Sequence, residues 1–307
     1  MSSRLVIVGP TASGKSEFAK RVVRESGGAE ILCVDSMTVY RGMDIGTAKP
    51  GASDRATVVH HGLDLVDPDV DYSVAEFQRY ANRVVADARE RDVGLVMVGG
   101  TGLYVDAVVN GFTMPAQYPE IRRSLQEELD SKGVAGLYAR LRVHDPEAAS
   151  RMEPNNDRRI IRALEVCVGS GRPFSSYGPG LQATRSEETA DPPVIFGILW
   201  PREELRRRIE FRFATQIRQG FLDEAASLRS SFGNRLSRTA RQALGYRELW
   251  AHLDGLSSLD EATETAIVRT RQFAVRQERW FRRDPRIRWL TPDEAATVPV
   301  GELLGRR

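Results

Sequence analysis

The sequence predicts an α/β fold, a parallel sheet flanked by helices and interrupted by a helical insertion. Three observations carry this expectation. The apolar run Leu5-Val6-Ile7-Val8 leads directly into Gly9-Pro10-Thr11-Ala12-Ser13-Gly14-Lys15-Ser16, and Glu17 to Val23 can continue as a helix, which gives the strand, glycine-rich loop and helix of a P-loop. Short apolar runs recur at Glu30 to Val34, Leu95 to Val98 and Val194 to Leu199, separated by helical periodicity, as in a P-loop NTPase-like sheet built from βα units. Between the last two runs the pattern changes to short helices at 119–131, 134–142 and 156–168, followed by a polar stretch rich in Gly, Pro and Ser. Residues 1–111 and 194–307 are therefore expected to form the core, and 112–193 an inserted helical domain.

The spacing G-x-x-x-x-G-K-S lets consecutive backbone N–H groups wrap an anion, with Lys15 on phosphate oxygens and the Ser16 hydroxyl placed to ligate Mg²⁺. The helix that follows aims its positive end at the same point. Which phosphate ester is held stays open. The second strand ends at Asp35-Ser36, and a carboxylate at the carboxyl end of a strand in an open parallel sheet stands where ligands are met. An Asp capping a turn is the plainer alternative.

Residues 41–62 have no clean period and read as a long loop. His60 and His61 adjoin in sequence with no other ligand cluster, which favours hydrogen bonding over a metal. A short strand is expected at Leu63 to Val66, and Ser73-Val74-Ala75-Glu76 is a capping box opening a helix to about Arg91. The strand Leu95 to Val98 ends in Gly99-Gly100-Thr101-Gly102. An ATP-hydrolysing P-loop enzyme usually carries an acidic residue on such a strand. Here glycines and a hydroxyl stand instead.

In the insertion Arg158, Arg159 and Arg162 cluster near a helix start, with Arg158 and Arg162 on one face. The remainder is expected to be helical, at 202–219, 221–230, 239–252 and 259–283. In the last of these Arg269, Gln272, Arg276, Arg279 and Arg283 form one stripe suited to a polyanion, with the interleaved Phe273, Trp280 and Phe281 reading as core.

The net charge of +2 hides an uneven distribution: residues 201–290 carry 19 Lys or Arg against 12 Asp or Glu, whereas 1–110 carry 12 against 15. Only Lys15, Lys20, Lys49 and Lys132 are lysines, so the basic surface is guanidinium, suited to phosphate and base contacts. No apolar run reaches the roughly 18 residues of a membrane span, and Met1-Ser2-Ser3-Arg4 brings no apolar leader, so a cytoplasmic location without membrane is expected. Cys33 and Cys167 lie in apolar runs and read as buried free thiols, too few for a zinc finger.

These motifs together resemble one family, the bacterial tRNA dimethylallyltransferases (tRNA isopentenyltransferases, the IPP transferase family). The resemblance runs from Leu5 to about Arg283: the P-loop; Asp35-Ser36; the highly specific block Gly42-Met43-Asp44-Ile45-Gly46-Thr47-Ala48-Lys49-Pro50; Gly99 to Tyr104; Arg162 to Val166; Gln242 to Tyr246; and Arg271-Gln272 through Arg276-Gln277 to Trp280. It implies transfer of the dimethylallyl group from dimethylallyl diphosphate to the exocyclic N6 of the adenosine immediately 3′ of the anticodon, with release of diphosphate.

By the same resemblance the diphosphate lies on Gly9, Pro10, Thr11, Ala12, Ser13, Gly14, Lys15 and Ser16, with Arg208 and Arg212 as further contacts, and Mg²⁺ is the cofactor, on Ser16. Asp35 is the general base, with Lys15 and Thr101 beside the reacting atoms. Contacts to tRNA are implied for Asp35, Ser36, Met37, Thr38, Thr101, Arg122, Arg158, Arg159, Arg162, Arg241, Gln242, Gly245 and Tyr246. The partners are the tRNA anticodon stem-loop and dimethylallyl diphosphate, and a monomer is expected. Many members carry Gln where Thr38 stands, so no base contact through that Gln carries over. The rival readings are an adenylate isopentenyltransferase, a P-loop small-molecule kinase and an RNA-binding protein with a degenerate loop. The basic helical regions speak against the first, and the intact Lys15-Ser16 and Asp35 against the last.

Overall fold

A computed structural model describes residues 4–112, 114–177 and 193–303. In chain order the elements are β1 (Arg4–Val8), α1 (Lys15–Ser26), β2 (Glu30–Cys33), α2 (Ala52–Thr57), β3 (His60–His61), α3 (Val74–Glu90), β4 (Leu95–Gly99), α4 (Gly102–Asn110), α5 (Pro119–Lys132), α6 (Val134–His144), α7 (Pro146–Ser150), α8 (Asp157–Ser170), β5 (Val194–Ile198), α9 (Arg202–Arg218), α10 (Phe221–Phe232), α11 (Arg238–Arg241), α12 (Tyr246–Leu253), α13 (Leu259–Phe281), β6 (Arg288–Leu290), α14 (Pro292–Thr297) and α15 (Val300–Leu303). The chain divides into two units, residues 1–109 with 188–307, and residues 110–187.

The first unit is built on a parallel sheet in the order β3-β2-β4-β1-β5-β6. Side chains of a strand alternate between the two faces of its sheet, and β1 shows the consequence: Val6 and Val8 pack into one core, Leu5 and Ile7 into another. Because both faces are covered, β1, β2 and β4 are apolar almost throughout. Phe18, Ala19, Val22 and Val23 of α1 close one face; Phe77, Ala81, Val84 and Ala88 of α3 close the other, with residues of α10, α12 and α13. The Ser73–Glu76 capping box of α3 is present, with both reciprocal hydrogen bonds made. The second unit is helical, with its own core of Leu125, Leu137, Leu141, Ile160, Ile161 and Leu164 from α5, α6 and α8.

Several expectations are corrected. The strand expected at Leu63 to Val66 is absent: the edge strand is His60–His61, and Val66 forms only an isolated bridge with Tyr40. The helix expected over 239–252 breaks into α11 and α12, because Gly245 at the start of α12 has φ +84, which ends a continuous right-handed path. The carboxyl-terminal region is not wholly helical, since β6 joins the sheet beside β5. Within the expected loop 41–62 the segment Ala52–Thr57 is a helix. The polar stretch after Tyr177, residues 178–192, lies outside the described residues. Cys33 and Cys167 are buried and free, and among the described residues no helix is long and apolar enough to cross a membrane.

Candidate active site

Register brings three chain segments to one level. Val8 of β1 faces Gly99 of β4, and Cys33 of β2 faces Val98. The chain therefore leaves the carboxyl ends of these adjacent strands as the P-loop, as Asp35-Ser36 and as Gly100-Thr101. A cavity of about 970 Å³ opens over these ends, where ligands of open parallel sheets bind.

The P-loop turns through left-handed backbone at Ala12 (φ 62) and Gly14 (φ 91). Its carbonyls are held from outside: Trp200 Nε1 donates to Ser13 O, and Arg208 Nε to Ala12 O, both at 2.8 Å. The Arg208 guanidinium lies over the Trp200 ring, 4.2 Å from its centroid. Arg208 is thus a brace of the loop as well as a neighbour of Gly14. The Ser13 N–H donates to Pro10 O at 3.2 Å, and the Thr11 N–H donates to Gln277 Oε1 at 2.8 Å. The N–H groups of Ala12, Gly14, Lys15 and Ser16 have no acceptor among the described residues. They are the free donors for an anion.

Lys15 Nζ donates to Pro10 O at 3.1 Å. Burial, and then the nearby Arg212, pull its pKa down to about 8, with Asp35 opposing. Burial also lowers Arg212, again against Asp35. Among the described residues neither cation has an ion pair. Two cations and four N–H donors face one cavity, so the floor is built for negative charge.

Asp35 stands opposite. Its Oδ1 accepts from Met37 N at 2.8 Å and its Oδ2 from Thr101 Oγ1 at 3.2 Å, while Ser36 N donates to Thr101 Oγ1 at 3.2 Å. Thr101 thereby orients one carboxylate oxygen from the end of β4. Gly100 and Gly102, on either side of Thr101, allow close approach: a Cβ on Gly100 would come within 2.6 Å of Gln277 Nε2, and one on Gly102 would overlap Trp280.

The family-specific block 42–50 forms a cavity wall, and its Lys49 is not a ligand. Its Nζ is buried, donating to Tyr40 O at 2.5 Å and to Asp44 and Asp64 at 2.7 and 2.6 Å. Glu224 of α10 accepts from the N–H groups of Asp44, Ile45 and Gly46 and from the Tyr246 hydroxyl. A Cβ on Gly46 would overlap Phe221 and Tyr246, which explains that glycine.

The remaining sequence-predicted contacts fall into two groups. Gln242 lines the cavity and is exposed, and Ser36 and Met37 line it beside Asp35. Thr38 and Tyr246 are buried, with hydroxyls donated to Gly62 O and to Glu224, and a Cβ on Gly245 would clash with Phe221. Thr38 and Tyr246 thereby shape the cavity wall that they line. Arg241 is turned onto the carbonyls of Leu236 and Asn234.

In the second unit Glu165, 1% exposed, accepts from Tyr118 N and pairs with Arg122 and Arg162, each at 3.0 Å. Arg162 also donates to Pro115 O and Ala116 O. Arg122 and Arg162 are therefore scaffold first, whereas Arg158 and Arg159 are exposed. The arginine stripe of α13 is likewise not wholly open, since Arg269 pairs with buried Glu248. His60 and His61 are hydrogen-bonding residues, on Val58 O and Glu30.

Sequence reasoning quoted Gln277 within a motif but gave it no role, and it passed over Trp200 and Glu224, each far along the chain from the P-loop or the block it holds. A Gln at a core-facing position of a long helix was the available signal for the first.

The chain is similar to known proteins throughout. A family model described as IPP transferase matches residues 38–284. A tRNA dimethylallyltransferase of Desulforudis audaxviator is 45% identical over 97% of this chain and 94% of its own length, and one of Geobacter metallireducens is 44% identical over 94% and 92%. Among solved structures, a tRNA isopentenylpyrophosphate transferase of Bacillus halodurans superposes with a TM-score of 0.70 at 35% identity, covering 100% of this chain and 97% of that one. A eukaryotic dimethylallyltransferase acting on tRNA gives 0.76 at 25% identity, covering 94% and 74%.

Proposed function

The chain belongs to the IPP transferase family and is a transferase that places a dimethylallyl group on tRNA, and we propose that its cavity does so with dimethylallyl diphosphate as donor. The observation that carries this division of the site is the pairing of an anion floor, Lys15, Arg212 and the free P-loop N–H groups, with a carboxylate opposite it, Asp35.

In this reading the diphosphate lies on the loop 9–16 and the exocyclic N6 of the adenosine 3′ of the anticodon enters beside Asp35. The N6–C bond forms as the C–O bond to diphosphate breaks, and the N6 proton passes to Asp35. The amine lone pair is delocalised into the purine, so removal of that proton in step with attack matters; a positioned base contributes about 10²- to 10⁴-fold. Lys15, Arg212 and the N–H groups of Ala12, Gly14, Lys15 and Ser16 stabilise charge growing on the leaving group, where each preorganised donor is worth several kcal/mol. Thr101 keeps Asp35 aimed.

The residues fit Mg²⁺ in one way. Among the described residues no group of three or more His, Cys, Asp or Glu could form a cage, while the Ser16 hydroxyl is exposed to the cavity and has no partner there. Mg²⁺ held through one hydroxyl and phosphate oxygens suits its preference for substrate-borne ligands, and it would supply further neutralisation of the leaving group.

The adenosine must be unstacked to enter, at a cost of a few kcal/mol that is least in a single-stranded loop. Exposed Arg158, Arg159 and Gln242 are the side chains assigned to the RNA, with Asp35 to Met37. In this reading the protein acts as a monomer in the cytoplasm, where tRNA is found. A P-loop kinase is disfavoured by the absence of an acidic residue at the end of β4. Competition between dimethylallyl diphosphate and ATP for the protein tests the donor: displacement by ATP at equal concentration would refute it.

A further inference from the structure

Gln277 sits near the carboxyl end of α13, 6% exposed, at the edge of the cavity between the P-loop and the end of β4. Its side-chain amide joins the two. Oε1 accepts from Thr11 N and Nε2 donates to Gly100 O, both at 2.8 Å. Reversing the amide would set donor against donor and acceptor against acceptor, so the network fixes its orientation. Thr11 belongs to the loop that holds the leaving group, and Gly100 precedes Thr101, which orients Asp35.

The surroundings are arranged for this bridge. Gly100 lacks a side chain where a Cβ would strike Nε2 and would reach 3.4 Å from Lys15 Nζ. Three residues further along α13, Trp280 lies over Gly102 and donates to Asp106 at 2.9 Å. Ala266 and Phe281 anchor the same helix in the core. The amide's position is therefore set by packing remote from the reaction, and it ties the P-loop to the strand end at a fixed separation.

We propose that Gln277 is the positioning residue that sets the distance between the diphosphate cradle and the Asp35–Thr101 pair, and so aligns the breaking C–O bond with the incoming N6. The inference rests on the transferase reading above. Displacement of reacting groups by about 1 Å costs on the order of 10²-fold in rate without weakening either substrate's own contacts. Loss of Gln277 therefore lowers kcat and spares KM.

The test uses the full chain with unmodified tRNA and dimethylallyl diphosphate. Gln277→Met removes both polar groups at similar volume. Gln277→Glu keeps the acceptor for Thr11 but, when ionised, sets a second acceptor against Gly100 O. Both are expected to lose roughly 10- to 100-fold in kcat, with both KM values within about threefold of the parent and the folded fraction checked by thermal unfolding. A protonated Glu carries an O–H that restores the second bond. Burial at position 277 and the facing Gly100 carbonyl raise that carboxyl well above the ordinary value of about 4.3, so the kcat ratio of parent to Gln277→Glu should narrow as pH falls from about 8 to about 6, while the ratio to Gln277→Met stays flat. Unchanged kcat in the folded Met variant, a rise in one KM alone, or identical pH behaviour of the two variants would overturn the proposal. A parent enzyme that transfers no label refutes the transferase reading itself, and the inference with it, before any variant is compared.

Discussion

The Lys15 ammonium, disfavoured by burial, is pushed down further by the Arg212 guanidinium beside it, to about 8, and among the described residues no ion pair relieves either cation. Such a pair is unfavourable by itself and becomes favourable with an anion between its members.

The pH dependence follows. Lys15 has a folded pKa below its ordinary 10.5, so between about 8 and 10.5 the unfolded chain holds a proton that the folded chain does not. Stability of the ligand-free protein should therefore rise with pH across that window, and the full penalty is present below about 8. Diphosphate binding runs the other way, because it needs the charged form: affinity should fall by up to about tenfold per pH unit above 8. Calorimetric titration with inorganic diphosphate at several pH values checks this, and flat affinity would contradict it.

Arg212→Met should weaken diphosphate binding at neutral pH by roughly 10- to 100-fold, the worth of a hydrogen bond to a charged group. It should also move the decline of affinity to higher pH, because Lys15 loses a repelling neighbour. Both effects are read from the same titrations.

Lys49→Met should destabilise the protein by about 1–3 kcal/mol, since the buried Tyr40 carbonyl loses its donor and Asp44 and Asp64 lose a partner. Chemical denaturation measures this. The family-specific block containing Lys49 is thus a structural signature, and its removal should act through folding before chemistry.

In the helical unit, Arg158→Glu with Arg159→Glu should raise KM for tRNA about tenfold or more and reduce its salt dependence, with diphosphate binding unchanged. Arg122→Ala or Arg162→Ala should instead cost about 1.5–3 kcal/mol of stability, because buried Glu165 loses a charged donor.

What was legible in the sequence was local. The P-loop, the Asp35 turn and the capping box at Ser73 are each written within a few residues, where spacing dictates hydrogen bonding. The two-residue edge strand His60–His61 was not, because so short a run has no period. Nor was β6, because Arg288-Trp289-Leu290 is three residues long and shows no period. Arg162 and Glu165 stand three residues apart on α8, a spacing the sequence does show, but Glu224, the partner of the Tyr246 hydroxyl, is brought from another helix by packing, and no local pattern shows that pairing. Gln277 is the same case at the site itself, being 266 residues from the N–H it accepts.

Transfer of label from dimethylallyl diphosphate into unmodified tRNA, with Mg²⁺ and no ATP, run beside Asp35→Ala, tests the central claim most directly. The account predicts label in RNA from the parent protein and a loss of about 10²- to 10⁴-fold in the variant, with diphosphate binding retained. Label transferred equally well by Asp35→Ala, or phosphate transferred from ATP in place of the allyl group, would contradict it.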